Sequence, residues 1–140
     1  MKTEKRYNKV YLYCDGASRG NPGPAAIAYL IKDDADTILQ QESERIGVCT
    51  NNAAEYKAII QGLRACRNFT STEVIVCSDS LLCINQINKK WKINIESLQE
   101  LYLEVKKIEQ TFAKVIYLQK SRSNKNLRDA DKLANIALDS

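Results

Sequence analysis

Apolar residues fill the stretch Val74–Cys77, which then ends abruptly in Ser78, Asp79 and Ser80. A run that is apolar at every position, rather than at every second one, is typical of a strand buried on both faces of a sheet. In open α/β sheets, ligands gather at the carboxyl ends of such strands. Asp79 therefore lies where chemistry is usually placed, although it could equally cap the helix that the pattern predicts next.

Four further strands are predicted from the apolar pattern. Residues 9–15 alternate between two faces, 25–32 are apolar on both faces, 37–46 are polar enough for an edge strand, and 115–118 form a last short strand. Short turns rich in Gly, Pro and Asp join the first three segments. We therefore expect these three strands to form an antiparallel meander.

Apolar residues at helical spacing predict four helices, over residues 51–67, 81–88, 96–110 and 129–138. Residues 120–128 are expected to form a polar, basic loop. The order β-β-β-α-β-α-α-β-α requires a right-handed crossover that pairs strand 74–78 in parallel with an earlier strand. The predicted fold is α/β, a five-stranded mixed sheet with helices on its faces. It forms a single domain over residues 1–140, with residues 1–8 flexible.

Composition narrows the classes of function. The net charge of +4 permits a nucleic-acid partner without requiring one. The longest apolar run, Ala25–Ile31, is far shorter than the roughly 20 residues of a membrane span. Five cysteines without a Cys-x-x-Cys pattern are expected to be reduced, buried thiols in a cytoplasmic protein. The chain has no histidine, which excludes a Ser-His-Asp triad, a Cys-His pair and any histidine-based metal site.

Four acids are candidates for a shared site: Asp15, Glu55, Asp79 and Asp131. Each has an ordinary structural explanation, as a turn residue, a solvated helix residue, a helix cap or a first-turn acid. All four, however, lie at or beside apolar elements that must pack on the same sheet. If the first and fourth strands are neighbours, Asp15 and Asp79 meet there.

Carboxylates gathered in this way repel one another and take up protons unless cations neutralise them. A site made only of oxygen ligands selects hard ions, so we expect Mg²⁺, with Mn²⁺ as a possible substitute. Two such ions about 4 Å apart promote in-line attack of water on a phosphodiester.

Four motifs resemble those of type 1 ribonuclease H. Tyr13–Ala25 is similar to the opening motif of that family, Thr50–Tyr56 to the second, Ser78–Ser80 to the third and Ala130–Asn135 to the fourth. They occur in the family's order, and the resemblance covers residues 9 to 139. It implies the mixed sheet expected above and metal-dependent endonucleolytic cleavage of the RNA strand of an RNA–DNA hybrid, leaving 5′-phosphate and 3′-hydroxyl ends.

The resemblance also implies roles for individual residues. Asp15, Glu55, Asp79 and Asp131 correspond to the metal ligands, with two Mg²⁺ ions per site. Glu55 also corresponds to a contact with the RNA 2′-hydroxyl, the group that distinguishes RNA from DNA.

Substrate contacts follow from the same resemblance. The positions expected to contact the minor groove of the hybrid are Gly16, Asn21, Asn51 and Asn52. Thr50 corresponds to a hydroxyl that helps to hold a DNA phosphate, with Asn94 as its possible partner. Either Thr50 or Asn51 could also simply cap the helix predicted over residues 51–67.

Two features depart from many relatives. A long basic arm is reduced here to the basic patch, which consists of Lys89, Lys90, Trp91 and Lys92; it could contact DNA or be a solvated face. A loop histidine is absent, and the loop before the last acid offers Arg122 and Lys125 instead.

The expected partner is an RNA–DNA hybrid, with no membrane and no obligate protein partner. Two alternatives were weighed. One is a non-catalytic nucleic-acid-binding module of the same fold, although clustered acids disfavour binding to phosphates. The other is a different two-metal nuclease of the same superfold, against which the Asp-Gly opening and the Asn-Asn-x-Ala-Glu-like second motif speak.

Overall fold

The computed structural model describes residues 6–140, which form one sheet and four helices. The strands are β1 Lys9–Ser18, β2 Gly23–Lys32, β3 Ile38–Cys49, β4 Glu73–Ser78 and β5 Lys114–Gln119. The helices are α1 Asn51–Cys66, α2 Leu81–Ile87, α3 Glu96–Glu109 and α4 Lys125–Asp139.

The sheet has the strand order β3-β2-β1-β4-β5. The pairs β1–β2 and β2–β3 are antiparallel, whereas β4 pairs in parallel with both β1 and β5. This arrangement confirms the predicted five-stranded mixed sheet with an antiparallel meander. It also places β1 and β4 side by side at the centre.

Helices cover both faces of the sheet. Alternate residues of β2 separate the two faces, because Ile27 and Tyr29 join the large core cluster and Ala28 and Leu30 join a smaller one. Buried residues of α1, α2 and α3 belong to the large cluster, and residues of α4 belong to the smaller one. The functional consequence is that α1 and α4 approach β1 from opposite sides.

The first strand is longer than predicted. The pattern places its end at Asp15, but β1 continues to Ser18, which pairs with Ala25 of β2. Gly16 and Arg19–Gly23 indicated a turn here, yet only residues 19–22 lie outside a strand. Asp15 therefore lies within a strand, on a rigid backbone.

The predicted loop over residues 120–128 is too long, and α4 begins at Lys125 rather than Asp129. The Asn124 side chain caps the helix by accepting hydrogen bonds from two backbone N–H groups of its first turn. Leu127 is buried, which fixes this turn against the sheet. The polar composition of the segment concealed a helix start.

The expectation that residues 1–8 are flexible falls partly on residues 1–5, which lie outside the described residues. For the rest it stays a prediction, although the Tyr7 backbone N–H donates to the Phe69 carbonyl at 2.9 Å and its carbonyl accepts from the Thr70 hydroxyl. Among the described residues, no helix combines the length and apolar character that crossing a membrane requires.

Candidate active site

Three carboxylates from three different elements meet at one end of β1 and β4. Oxygens of Asp15, Glu55 and Asp79 all lie within 4.8 Å of one another. The parallel register explains why Asp15 and Asp79 are close together. Tyr13 pairs with Cys77, and each acid follows its paired residue by two positions. The two side chains therefore emerge at the same level of neighbouring strands.

Gly16 brings the third carboxylate into place. A Cβ at this position would lie 2.3 Å from the Ala54 carbonyl carbon, so only glycine lets the first turns of α1 pack directly on β1. The Gly16 backbone N–H then donates to Glu55 Oε1 at 2.9 Å. As a result Glu55 is almost fully buried and points at the sheet rather than at solvent.

Asp131 reaches the cluster from the opposite face. It lies on α4, and its carboxyl is close enough to that of Asp15 to raise the pKa of Asp15. The Asn135 side chain, one turn later on α4, donates to the Asp131 carbonyl at 3.0 Å and to Oδ1 at 3.3 Å. Asp131 is less buried than Asp15, so it lies at the rim of the cluster.

The cluster holds more negative charge than its surroundings can stabilise. Burial, together with repulsion from Asp79 and Asp131, raises the pKa of Asp15 to about 8. Burial and repulsion from Asp15 and Asp79 also raise the pKa of Glu55 well above its ordinary value, although the hydrogen bond from Gly16 opposes this. Without a cation, the site therefore retains protons near neutral pH.

Arg122 supplies one positive charge at the edge of the cluster. Its Nε donates to Asp79 Oδ2 at 2.8 Å. This hydrogen bond, and the charges of Asp79, Asp15 and Asp131, raise the pKa of the guanidinium. The Arg122 side chain remains 75% exposed, so it also faces any ligand that approaches the acids.

These donors fit a hard divalent cation. The three converging side chains offer only carboxylate oxygens, the ligands that Mg²⁺ and Mn²⁺ prefer. The raised pKa values of Asp15 and Glu55 show that the protein alone does not neutralise the charge. A bound cation would do so.

A cleft beside the acids contains several of the predicted substrate residues. Its lining includes Gly16, Asn21 and Asn51 together with Asp15 and Arg122. The backbone N–H of Asn51 donates to Asn21 Oδ1 at 3.0 Å. This bond ties the β1–β2 turn to the start of α1 and holds the Asn21 side chain at the cleft.

Thr50 immediately precedes α1, and Asn52 lies in its first turn. The Thr50 hydroxyl caps the helix by accepting from the Ala53 N–H, so of the two caps expected, Thr50 or Asn51, the structure has Thr50. Asn51 Oδ1 instead accepts from the Ser18 N–H at 3.2 Å. The Asn52 carbonyl accepts from the Cys83 thiol, which fixes α1 against α2.

The remaining predicted contacts lie elsewhere. Among the described residues, the lining of the acidic cleft includes none from the basic patch, which lines a separate groove beside Tyr102 of α3. Its lysines are exposed, and Trp91 is 46% exposed. Asn94 is exposed beyond the patch, and Lys125 forms an ion pair with Asp129 on α4.

Sequence reasoning missed Asn135 and Ser18, which also line the cleft. Asn135 was detectable, because it follows Asp131 by four residues and therefore shares its helix face. Ser18 was hidden by the assumption that β1 ends at Asp15.

Comparison with known sequences gives consistent results. A family model described as reverse transcriptase-like matches residues 13–137. A ribonuclease HI of Halobacterium salinarum is 34% identical over 134 residues, which cover 96% of this chain and 66% of that protein. A bifunctional protein of Mycobacterium tuberculosis is 36% identical over 132 residues, but this chain spans only 36% of its length.

Two solved structures match this chain over nearly the whole length of both proteins. The ribonuclease H1 of Halobacterium salinarum has a TM-score of 0.89 at 34% identity, covering 94% of this chain and 98% of that one. The ribonuclease H1 named LC11, solved with an RNA/DNA hybrid, has a TM-score of 0.86 at 34% identity, covering 93% and 96%. With the four motifs in register on this fold, the chain belongs to the type 1 ribonuclease H family.

Proposed function

We propose that this protein hydrolyses the RNA strand of RNA–DNA hybrids, leaving 5′-phosphate and 3′-hydroxyl ends. The observation that carries the proposal is the convergence of three buried or half-buried carboxylates from β1, α1 and the end of β4. The relative named LC11, which was solved with an RNA/DNA hybrid, supports the choice of substrate.

Asp15, Glu55 and Asp79 would hold the divalent cations, with Asp131 completing the set from the rim. We propose Mg²⁺, two ions per site, with Mn²⁺ as a substitute. When bound, such ions supply the positive charge that favours attack of water on a phosphodiester and departure of the leaving oxygen. The acids themselves bind and orient, and the Gly16 N–H holds Glu55 in a single position.

Glu55 would also select the substrate. Its carboxylate would accept a hydrogen bond from an RNA 2′-hydroxyl, which DNA lacks. Asn21 and Asn51, held together at the cleft, would contact the minor groove, and Gly16 and Asn52 lie next to them. Thr50 would contact a DNA phosphate, and Asn94 stays a prediction as its partner.

The positively charged side chains would bind phosphates of the substrate at two places, one at the acid cluster and one further away. Arg122 lies at the cluster and would meet the phosphate nearest the cut. Lys89, Lys90, Trp91 and Lys92 would contact the DNA strand further away, since they line a different groove. The cytoplasmic location expected from the cysteines, all five of which are free, stays a prediction.

The decisive experiment is a gel assay on RNA–DNA, RNA–RNA and DNA–DNA duplexes, each with Mg²⁺, Mn²⁺ or a chelator. We expect cleavage of the RNA strand of the hybrid with either metal and none with the chelator. Binding of the hybrid without cleavage in any metal would instead support the non-catalytic module. Cleavage of DNA–DNA would support a different nuclease of the same fold.

A further inference from the structure

Lys32, the last residue of β2, places its ammonium group in the interior. The residue is only 4% exposed, and Nζ donates to Asn126 Oδ1 at 2.6 Å and to Asp36 Oδ1 at 3.0 Å. Its position beside the first turn of α4 is electrostatically unfavourable, because the positive end of the helix dipole lies there. The two acceptor oxygens offset that repulsion.

Asn126 connects this lysine to the start of α4. The Tyr13 hydroxyl lies near the Asn126 side chain, and Tyr13 precedes Asp15 by two residues on the same face of β1. The Asn126 backbone N–H donates to Asn124 Oδ1 at 3.0 Å. The first turn of α4 is thereby attached to β1 and β2 at once.

The attachment continues to Arg122. The Asn124 N–H donates to the Ser121 carbonyl at 2.9 Å, which closes a four-residue turn with Arg122 at its second position. Arg122 then reaches Asp79 at 2.8 Å. Hydrogen bonds in this turn and in the first turn of α4 therefore link the Lys32 ammonium to the Arg122 guanidinium, which contacts the acid cluster.

We infer that Lys32 is a positioning residue, which fixes the start of α4 and so holds Arg122 at the acid cluster. The inference rests on the proposed function only for the role of Arg122 in cleavage. The Lys32 ammonium is buried and must keep its two acceptors, Asn126 and Asp36, so the network favours a single geometry at the start of α4.

The test combines Lys32→Met with Arg122→Ala, singly and together, in single-turnover cleavage of a hybrid. We expect Lys32→Met to slow cleavage about tenfold, as loss of outer-shell support commonly does. In the Arg122→Ala background, Lys32→Met should change the cleavage rate by less than about twofold, because the guanidinium that Lys32 positions is already absent. An equal effect in both backgrounds would overturn the inference.

Lys106→Met is the matched control. Lys106 of α3 also pairs with an acid, Glu109 at 3.2 Å, and lies near the rings of Tyr102 on α3 and Tyr117 on β5, away from the acid cluster. It should leave the cleavage rate unchanged. If Lys32→Met does not fold, Asn126→Ala removes the acceptor instead and should show the same dependence on Arg122.

Hydrogen exchange gives a readout that does not depend on activity. The amides of Asn126, Leu127 and Arg128 all donate to Asn124, so they report the start of α4. Lys32→Met should speed their exchange, and Lys106→Met should not. Unchanged exchange would overturn the inference, whereas failure of the wild type to cleave a hybrid would overturn only the proposed function.

Discussion

Asp79 lies beside groups of opposite charge. Its neighbours are the carboxylates of Asp15 and Glu55 and the guanidinium of Arg122. Its position follows directly from the end of the buried strand β4. The helix cap considered for Asp79 is provided by the next residue, Ser80, whose hydroxyl accepts from the Cys83 N–H. The carboxylate of Asp79 is therefore free for other chemistry.

We predict that Asp79→Asn abolishes cleavage but leaves the melting temperature of the metal-free protein unchanged or higher. The substitution relieves repulsion within the cluster. It also weakens the ion pair with Arg122, which contributes little because Arg122 is mostly exposed. Thermal melts in chelator and gel assays in Mg²⁺ measure the two effects, and hybrid binding should be nearly intact. Substantial Mg²⁺-dependent activity in this variant would contradict the metal assignment.

Asp15 makes a pH-dependent contribution to stability. Its pKa is 3.8 ordinarily and about 8 in the folded protein, so folding favours the protonated form. The resulting stabilisation is fully present below pH 3.8 and is lost as the pH rises through about 8. We therefore expect the melting temperature of the metal-free protein to fall across this range. Asp15→Asn should flatten the decline, and an unchanged slope in that variant would contradict the assignment.

At the scale of elements, the contact between β1 and α1 depends on the absence of a side chain at Gly16. We predict that Gly16→Ala destabilises the protein by about 3 kcal/mol or more, because its Cβ would overlap backbone atoms that cannot move without shifting the helix. Cleavage should fall as well, since Glu55 moves with α1. Urea denaturation and single-turnover rates measure the two changes.

Gly47→Ala is the control for this prediction. Gly47 has a φ of +85°, but no atom lies within 4 Å of an added Cβ. The cost should be only the conformational one, about 1 kcal/mol, with cleavage unchanged. A similar loss of stability and activity in both variants would show that the close packing of α1 on Gly16 does not cause the effect of Gly16→Ala.

Element types and sheet order were predictable because apolar periodicity reflects burial directly, as in the apolar run Val74–Cys77 of β4. The ends of elements were less predictable. Gly16 indicated a turn by local rules, yet tertiary packing of α1 requires a glycine within the strand. Asn124 and Leu127 carried the cap and the buried contact of α4, but a polar, basic context hid both. Side-chain networks such as Lys32–Asn126 join distant segments and leave no local pattern.

On the scale of the whole molecule, acidic and basic side chains are concentrated in different grooves. The net charge is +4, yet the cleft collects acids while the basic patch lines another groove. Long-range attraction to a hybrid must therefore come from lysines away from the acids.

We predict that replacing Lys89, Lys90 and Lys92 by Ala weakens binding of all hybrid sequences alike. Each lost phosphate contact should reduce the salt dependence of the affinity by roughly one unit of slope. Fluorescence anisotropy over a range of salt concentrations measures it. Lys107→Ala with Lys114→Ala, two exposed lysines that line neither groove, is the control and should have little effect. If affinity and slope stay unchanged, the patch is only a solvated face.

The parallel pairing of β1 with β4 also bears on how the chain folds. The meander β1–β2–β3 joins segments that are close along the chain, whereas Val10 must find Val74 across the whole meander and α1. Closing so long a loop is entropically costly and slows folding. Asp15 and Asp79 meet only when that closure is complete, so a chain holding the meander alone has no acid cluster and no activity.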